Sequence, residues 1–181
     1  QGATINSWGV GTNLITSKDC PSFGGVYKLA AIQDKNTKTF IPKIKLSENA
    51  EKITNPGNKT IQRIYHKQTG KVIADLICLV GESFDPSNSL LLFDPIETWK
   101  KTHLAPNSYT LRELLVPVFQ NGRCVYRSPK VMDIRQYCMR EMDTLWEESK
   151  RLEYPHQVHV DLSNQLWHMK NQLLDSHHYS K

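Results

Sequence analysis

Apolar and polar residues follow two rhythms along this chain, and the change comes near residue 110. Before it, short apolar runs alternate with turn-forming residues. Residues 3–8 (Ala-Thr-Ile-Asn-Ser-Trp) predict a short buried strand that leads directly into Gly9-Val10-Gly11-Thr12. Residues 24–32 predict another, followed by a turn over Asp34-Lys-Asn-Thr-Lys38. Lys43-Ile44-Lys45-Leu46 alternates with a period of two. Residues 61–65 and 71–77 flank His66-Lys-Gln-Thr-Gly70, which is the pattern of a β-hairpin. Leu90-Leu-Leu-Phe93 is one more apolar run, stopped by Asp94-Pro95. The first hundred residues therefore predict mainly β-structure.

The later part changes period. Thr110-Leu-Arg-Glu-Leu-Leu-Val116 predicts a short helix ended by Pro117, and residues 119–126 carry an Asn121-Gly122 turn between extended pieces. Ser128-Pro129 predicts a helix start, with Ser as cap and Pro in the first turn. Val131, Ile134, Cys138, Met142 and Leu145 follow as one apolar stripe, giving a helix to about residue 151 before Tyr154-Pro155 breaks it. A second stripe, Leu162, Leu166, Met169 and Leu173, predicts a last helix capped by Asp161 or Ser163. No internal repeat or low-complexity segment interrupts the chain, and no apolar run approaches the ~18 residues that span a bilayer. The fold class expected is α/β and α+β.

Charge narrows the choice of partners. Of 181 residues, 23 are Lys or Arg and 18 are Asp or Glu, a net charge of +5. The excess lies in residues 1–80, where 11 basic and 5 acidic residues give +6. Those basic residues are lysines spread over turns and alternating positions, with Arg63 the single arginine. Nucleic-acid readers depend on arginine for bidentate contacts, so the pattern reads as a solvated basic surface, able to attract a small phosphate-bearing substrate. Cys20, Cys78, Cys124 and Cys138 form no CxxC pair, and they are expected to be reduced thiols of a cytoplasmic protein. Asn58-Lys59-Thr60 is then a chance glycosylation triplet. The chain opens on Gln1 without a secretory segment, which suggests the interior of a longer gene product.

The residues alone offer one candidate for chemistry. Two glycines separated by one residue, then a threonine, can wrap a phosphate: glycine admits a close approach, and Thr12 donates through amide and hydroxyl. The string is neither GxGxxG nor a Walker loop, and a tight turn would explain it as well. Of the seven histidines, His156 and His159 stand three apart, but no Cys or carboxylate completes a ligand set, so no metal is expected. Asp19, Asp75 and Asp161 read as turn or capping carboxylates, and Trp8, Trp99, Trp146 and Trp167 as core or interface anchors.

Longer strings add a resemblance. Residues 8–16 (Trp-Gly-Val-Gly-Thr-Asn-Leu-Ile-Thr), residues 21–29 (Pro-Ser-Phe-Gly-Gly-Val-Tyr-Lys-Leu), Lys43-Ile-Lys-Leu-Ser-Glu48, Lys52-Ile-Thr-Asn-Pro-Gly-Asn-Lys59, Arg63 and Asp161-Leu-Ser163 resemble the nicotinate phosphoribosyltransferase family in order along the whole chain. Such enzymes join nicotinate to 5-phosphoribosyl-1-pyrophosphate, giving nicotinate mononucleotide and pyrophosphate, and couple this to ATP hydrolysis through a phosphorylated histidine. The resemblance covers the C-terminal third of such an enzyme. It implies that residues 1–19 end an irregular type II phosphoribosyltransferase α/β barrel, residues 20–106 form a β-rich segment of a split sandwich domain, and residues 107–181 form a C-terminal helical region.

In that arrangement Gly9, Gly11 and Thr12 hold the 5′-phosphate of the ribosyl donor. The phosphorylated histidine lies upstream of Gln1, so no residue of this chain is catalytic. ATP and Mg²⁺ are implied for the family, with neither bound by this segment alone. The partners implied are nicotinate, phosphoribosyl pyrophosphate and ATP, with no nucleic acid and no membrane, and the resemblance allows a homodimer. Lys28, Lys43 and Lys45 read as basic surface. Two other readings stay open: an inactive scaffold or dimerisation module when isolated, and a relative that uses nicotinamide or quinolinate.

Overall fold

The computed structural model describes residues 4–22, 24–97 and 99–178. Residues 1–3, Phe23, Thr98 and residues 179–181 lie outside the described residues, and parts of the predicted first strand, the second resemblance string and the tail fall on them. The centre of the molecule is a six-stranded sheet built from β3 (Lys59–His66), β4 (Val72–Leu79), β5 (Leu90–Phe93), β6 (Lys101–Leu104), β7 (Tyr109–Glu113) and β10 (His159–Leu162). Their order is β6-β5-β10-β4-β3-β7, and every pairing is antiparallel except β10 with β4. The last strand thus enters the middle of the sheet and joins two antiparallel pieces that would otherwise stand apart.

The expected hairpin at residues 61–77 is this sheet's spine. In β4, Val72, Ala74, Leu76 and Cys78 are buried and alternate with half-buried neighbours, as a strand with one face on the core requires. Gly70 turns the chain with φ of 66°, a conformation glycine adopts without steric cost. On one face Ile64, Ala74, Leu76, Cys78, Leu90, Leu92, Leu104 and Tyr109 form the main core. On the other, Phe93 and Leu162 receive α3 (Asn164–His178) through Leu166 and Trp167, whose ring stacks on Phe93 at 4.8 Å. Ser163 caps that helix, as one of the two predicted caps: its Oγ accepts from the Leu166 amide at 3.2 Å and donates to Glu82 Oε1 at 2.7 Å.

The buried Pro56-Gly57 stretch supports the same contact. Gly57 has φ of 88°, and a Cβ placed there would stand 2.7 Å from Leu79 Cδ2 and 3.2 Å from Met169 Sδ. Here the glycine of a resemblance string serves packing.

α2 (Val131–Thr144) is fixed to the sheet by polar groups. Arg112 on β7 forms a bidentate pair with Glu141 at 2.7 and 2.6 Å. Arg63 on β3 pairs in the same way with its register partner Asp75 at 2.7 and 2.8 Å, and lies 3.5 Å from Glu141. At the helix C-terminus Lys71 Nζ donates to the carbonyls of Asp143 and Leu145, and Trp146 Nε1 donates to that of Val72. A cation on orphan C-terminal carbonyls is a favourable cap.

Several expected elements differ. Residues 4–8 are exposed and form no strand, because no described residue pairs with them. Of residues 24–32 only the end is extended, in β1 (Ala31–Gln33), which pairs with β2 (Phe40–Pro42) around the predicted turn. Asp34 Oδ1 closes that turn by accepting from the amides of Asn36 and Thr37 at 2.8 Å. Lys43–Leu46 is irregular despite its alternation. The helix expected at 110–116 is instead β7, since pairing with β3 through residues 62–66 outweighs the local preference. The Asn-Gly turn stands between β8 (Phe119–Gln120) and β9 (Arg123–Cys124). α2 begins at Val131 with Lys130 as an uncapped N-cap, and it ends at Thr144, short of 151. Its apolar stripe is not buried: Val131, Ile134 and Met142 are all exposed. All four cysteines are free, Cys78 buried and the other three exposed.

Candidate donor-phosphate loop

Residues 9–14 line an open cleft of about 540 Å³. The chain there is extended at Gly11 (φ −124°, ψ −163°) and then makes α1 (Thr12–Ile15), a single turn. The amides of Leu14 and Ile15 donate to the Gly11 carbonyl, and Thr16 donates to that of Thr12. The amides of residues 9–13 and the Thr12 hydroxyl donate to no acceptor among the described residues. Five unspent donors follow one another along a bend open to solvent, which suits an anion's several oxygens.

The glycines need an explanation from outside the loop's own geometry. Neither Gly9 nor Gly11 has a positive φ. A Cβ at either position would meet nothing within 4 Å, so internal packing does not demand glycine either. A helix dipole contributes little here, because α1 is four residues long. Every residue from 4 to 22 is exposed, so the loop takes no support from the sheet.

Other predicted site residues lie apart from it. Lys28 Nζ donates to the Lys52 carbonyl, and the Lys43 amide to that of Ala30. His159 is on β10, and His156 precedes it on irregular chain, its amide donating to the Glu148 carbonyl. Asp75 and Asp161 are neither turn nor capping groups. Asp75 is the mid-strand partner of Arg63, whereas Asp161 sits 6% exposed in the central strand and its carboxyl is pushed up by burial. A polar residue inside the His159-Val-Asp-Leu162 alternation was the available signal for it. Trp167 is a core anchor and Trp146 a half-exposed donor, while Trp8 and Trp99 are largely exposed. Among the described residues no three His, Cys, Asp or Glu groups converge as a metal would need, and no helix is long and apolar enough to cross a membrane.

A mixed sheet carrying a helix on one face places the chain in the α+β class. The family model described as "Nicotinate phosphoribosyltransferase C-terminal domain" matches residues 58–170, the sheet with α2 and the start of α3, and the chain belongs to that family. Nicotinate phosphoribosyltransferase of Bacillus subtilis (strain 168) is 37% identical over 172 residues, covering 95% of this chain and 34% of that protein. The proteins of that name from Dictyostelium discoideum and Homo sapiens are each 30% identical, covering 97% and 96% of this chain and 30% of their own lengths. The chain thus spans about a third of the length of these curated relatives. The crystal structure of human nicotinic acid phosphoribosyltransferase shares the fold, with a TM-score of 0.54 at 24% identity over 66% of this chain and 23% of that one.

Proposed function

We propose that this chain is the C-terminal part of a cytoplasmic, ATP-assisted nicotinate phosphoribosyltransferase, in which Gly9, Gly11 and Thr12 hold the 5′-phosphate of phosphoribosyl pyrophosphate. Residues 1–19 end the catalytic barrel, residues 20–106 continue as the β-rich segment, and residues 107–181 carry the C-terminal helices. The observation that carries the reading is the row of unspent amides from Gly9 to Asn13 beside two glycines that neither backbone strain nor packing requires. Barrels of this general kind place phosphate sites on the loops after their last strands.

The role of these residues is positioning. Pyrophosphate leaves the anomeric carbon as positive charge builds on the ribose, and an anchored 5′-phosphate fixes the ring against the attacking pyridine nitrogen. The described residues offer no carboxylate cluster for Mg²⁺, so no step is assigned through the metal or through ATP. The intact native polypeptide, given nicotinate, phosphoribosyl pyrophosphate and ATP, forms nicotinate mononucleotide and pyrophosphate, and the 181-residue chain alone does not. Absence of product from the intact polypeptide overturns the assignment; use of nicotinamide or quinolinate instead redirects it to a neighbouring activity.

A second reading, that the isolated chain is a scaffold or homodimerisation module, draws on the exposed apolar residues of α2 and of the opening segment, such as Trp8, Leu14, Ile134 and Met139. Sedimentation of the 181-residue chain as a monomer at micromolar concentration removes it.

A further inference from the structure

Apart from the phosphate loop, the sheet carries a second polar cleft of about 380 Å³ at the end of β5 and β10, and Asp161 lies at its base. Alternation along β10 turns Leu162 towards α3 and Asp161 to the opposite face, beside Asp94 and His159. Asp94 Oδ1 accepts from the amides of Ile96 and Glu97 at 2.8 Å, which orients this carboxylate and leaves Oδ2 without a described partner. Asp161 has no hydrogen bond or ion pair to any described residue, although it is more than nine-tenths buried. Its carboxyl oxygens are not sealed from solvent but open into the cleft, and partial desolvation disfavours their charged form.

The two lysines of the cleft are engaged elsewhere. Lys100 is ion-paired with Glu97 and stands 5.2 Å over the Trp99 ring. Lys101 directs its ammonium over Phe93 and Trp167, at 5.1 and 5.9 Å from their centroids. The cleft therefore holds two carboxylates that neither lysine pairs with, beside the His159 imidazole and a largely exposed indole.

We infer that this cleft binds a compact organic cation, a primary ammonium or a guanidinium, which pairs with Asp161, reaches Asp94 and lies against Trp99. A divalent metal fits less well, because no third ligand converges with the two carboxylates among the described residues. An ammonium or guanidinium needs only two acceptors and an aromatic wall. Burial pushes the Asp161 carboxyl up, the neighbouring His159 opposes this, and Asp94 adds to it; a bound cation reverses the balance. The same chemistry is presented by a free small amine and by a basic side chain of a protein.

The test uses the 181-residue chain, with agmatine as the free cation and acetyl-Gly-Arg-Gly-amide as the side-chain probe. Saturable shifts of the Trp99 indole and Asp161 carboxyl NMR signals are expected, with affinity falling about tenfold or more in Asp161→Asn and several-fold in Asp94→Asn. Circular dichroism confirms that each variant keeps its fold. Response to agmatine alone identifies a small-molecule site, and response to both probes identifies a site open to a protein side chain. No saturable shift with either probe, or equal binding by wild type and Asp161→Asn, overturns the inference. Because the phosphate loop lies elsewhere in the chain, either outcome leaves the proposed transferase role untouched.

Discussion

Arg112 and Glu141, 29 residues apart in sequence, meet in a two-bond ion pair of 2.7 and 2.6 Å that fixes α2 to the edge of the sheet. The pair extends inward, because Arg63 is the register partner of Arg112 and lies 3.5 Å from the same carboxylate. Glu141 therefore separates two guanidinium groups that would otherwise face each other on adjacent strands.

Replacing Glu141 by Gln lowers stability by about 1–2 kcal/mol at pH 7; the value is modest because the Arg112 side chain is 41% exposed and solvent screens it. Hydrogen bonding from Arg112 holds the Glu141 carboxyl below its ordinary 4.5, with burial opposing part of the effect. A lowered carboxyl stabilises the fold above its unfolded value and loses that contribution as pH falls through the folded one. Urea melts between pH 7 and pH 3 should show a shallower acid loss for Glu141→Gln than for wild type. Parallel acid limbs would remove the pair from the stability of this chain.

Asp161 has the opposite sign. Its folded carboxyl is raised above 3.8, so the native state holds its proton longer and stability falls as pH rises through that interval. Asp161→Asn should accordingly melt at a higher temperature than wild type at pH 7, with the gain vanishing below pH 3.8. A lower melting temperature at pH 7 would mean that the carboxylate has a stabilising partner.

Gly57→Ala tests whether the Pro-Gly pair in the resemblance string is structural. The added methyl meets Leu79 and Met169 at a backbone angle unfavourable to L-residues, and a loss of about 1–3 kcal/mol is expected in thermal melts. A change below about 0.5 kcal/mol would show that α3 yields easily at this contact.

The cysteines give a direct check on the core. Burial, with smaller contributions from Glu82 and Glu113, pushes the Cys78 thiol up to about 12, whereas Cys20, Cys124 and Cys138 are exposed. Thiol titration of the native chain at pH 8 should label those three rapidly and Cys78 only after denaturant is added. Fast labelling of Cys78 would contradict the main core.

Much of the fold was legible because it is local. The hairpin of β3 and β4 could be read from alternation and a glycine turn, and α3 from Ser163, Leu166, Met169 and Leu173, although Leu162 of that stripe belongs to β10. The strand at Thr110 could not, since its extended state depends on β3, nearly fifty residues earlier. The α2 stripe misled for a related reason: the helix meets the sheet through Glu141, and its apolar residues face away from the described core. At the loop, Gly9, Gly11 and Thr12 were legible as a pattern. Close approach is the reason the pattern offers for glycine there, and neither φ nor neighbouring atoms supply another. Asp161 read as a capping carboxylate because a lone carboxylate in a short strand gains its meaning only from burial and missing partners.

The most direct measurement of the central claim is the steady-state kinetics of Thr12→Val in the intact native polypeptide. The substitution keeps the shape of the side chain and deletes one hydroxyl from the open row of donors at residues 9–13. The account predicts a KM for phosphoribosyl pyrophosphate raised about tenfold, as for one lost bond to a charged oxygen, with the KM for nicotinate little changed. An unchanged donor KM together with an unchanged kcat would contradict it.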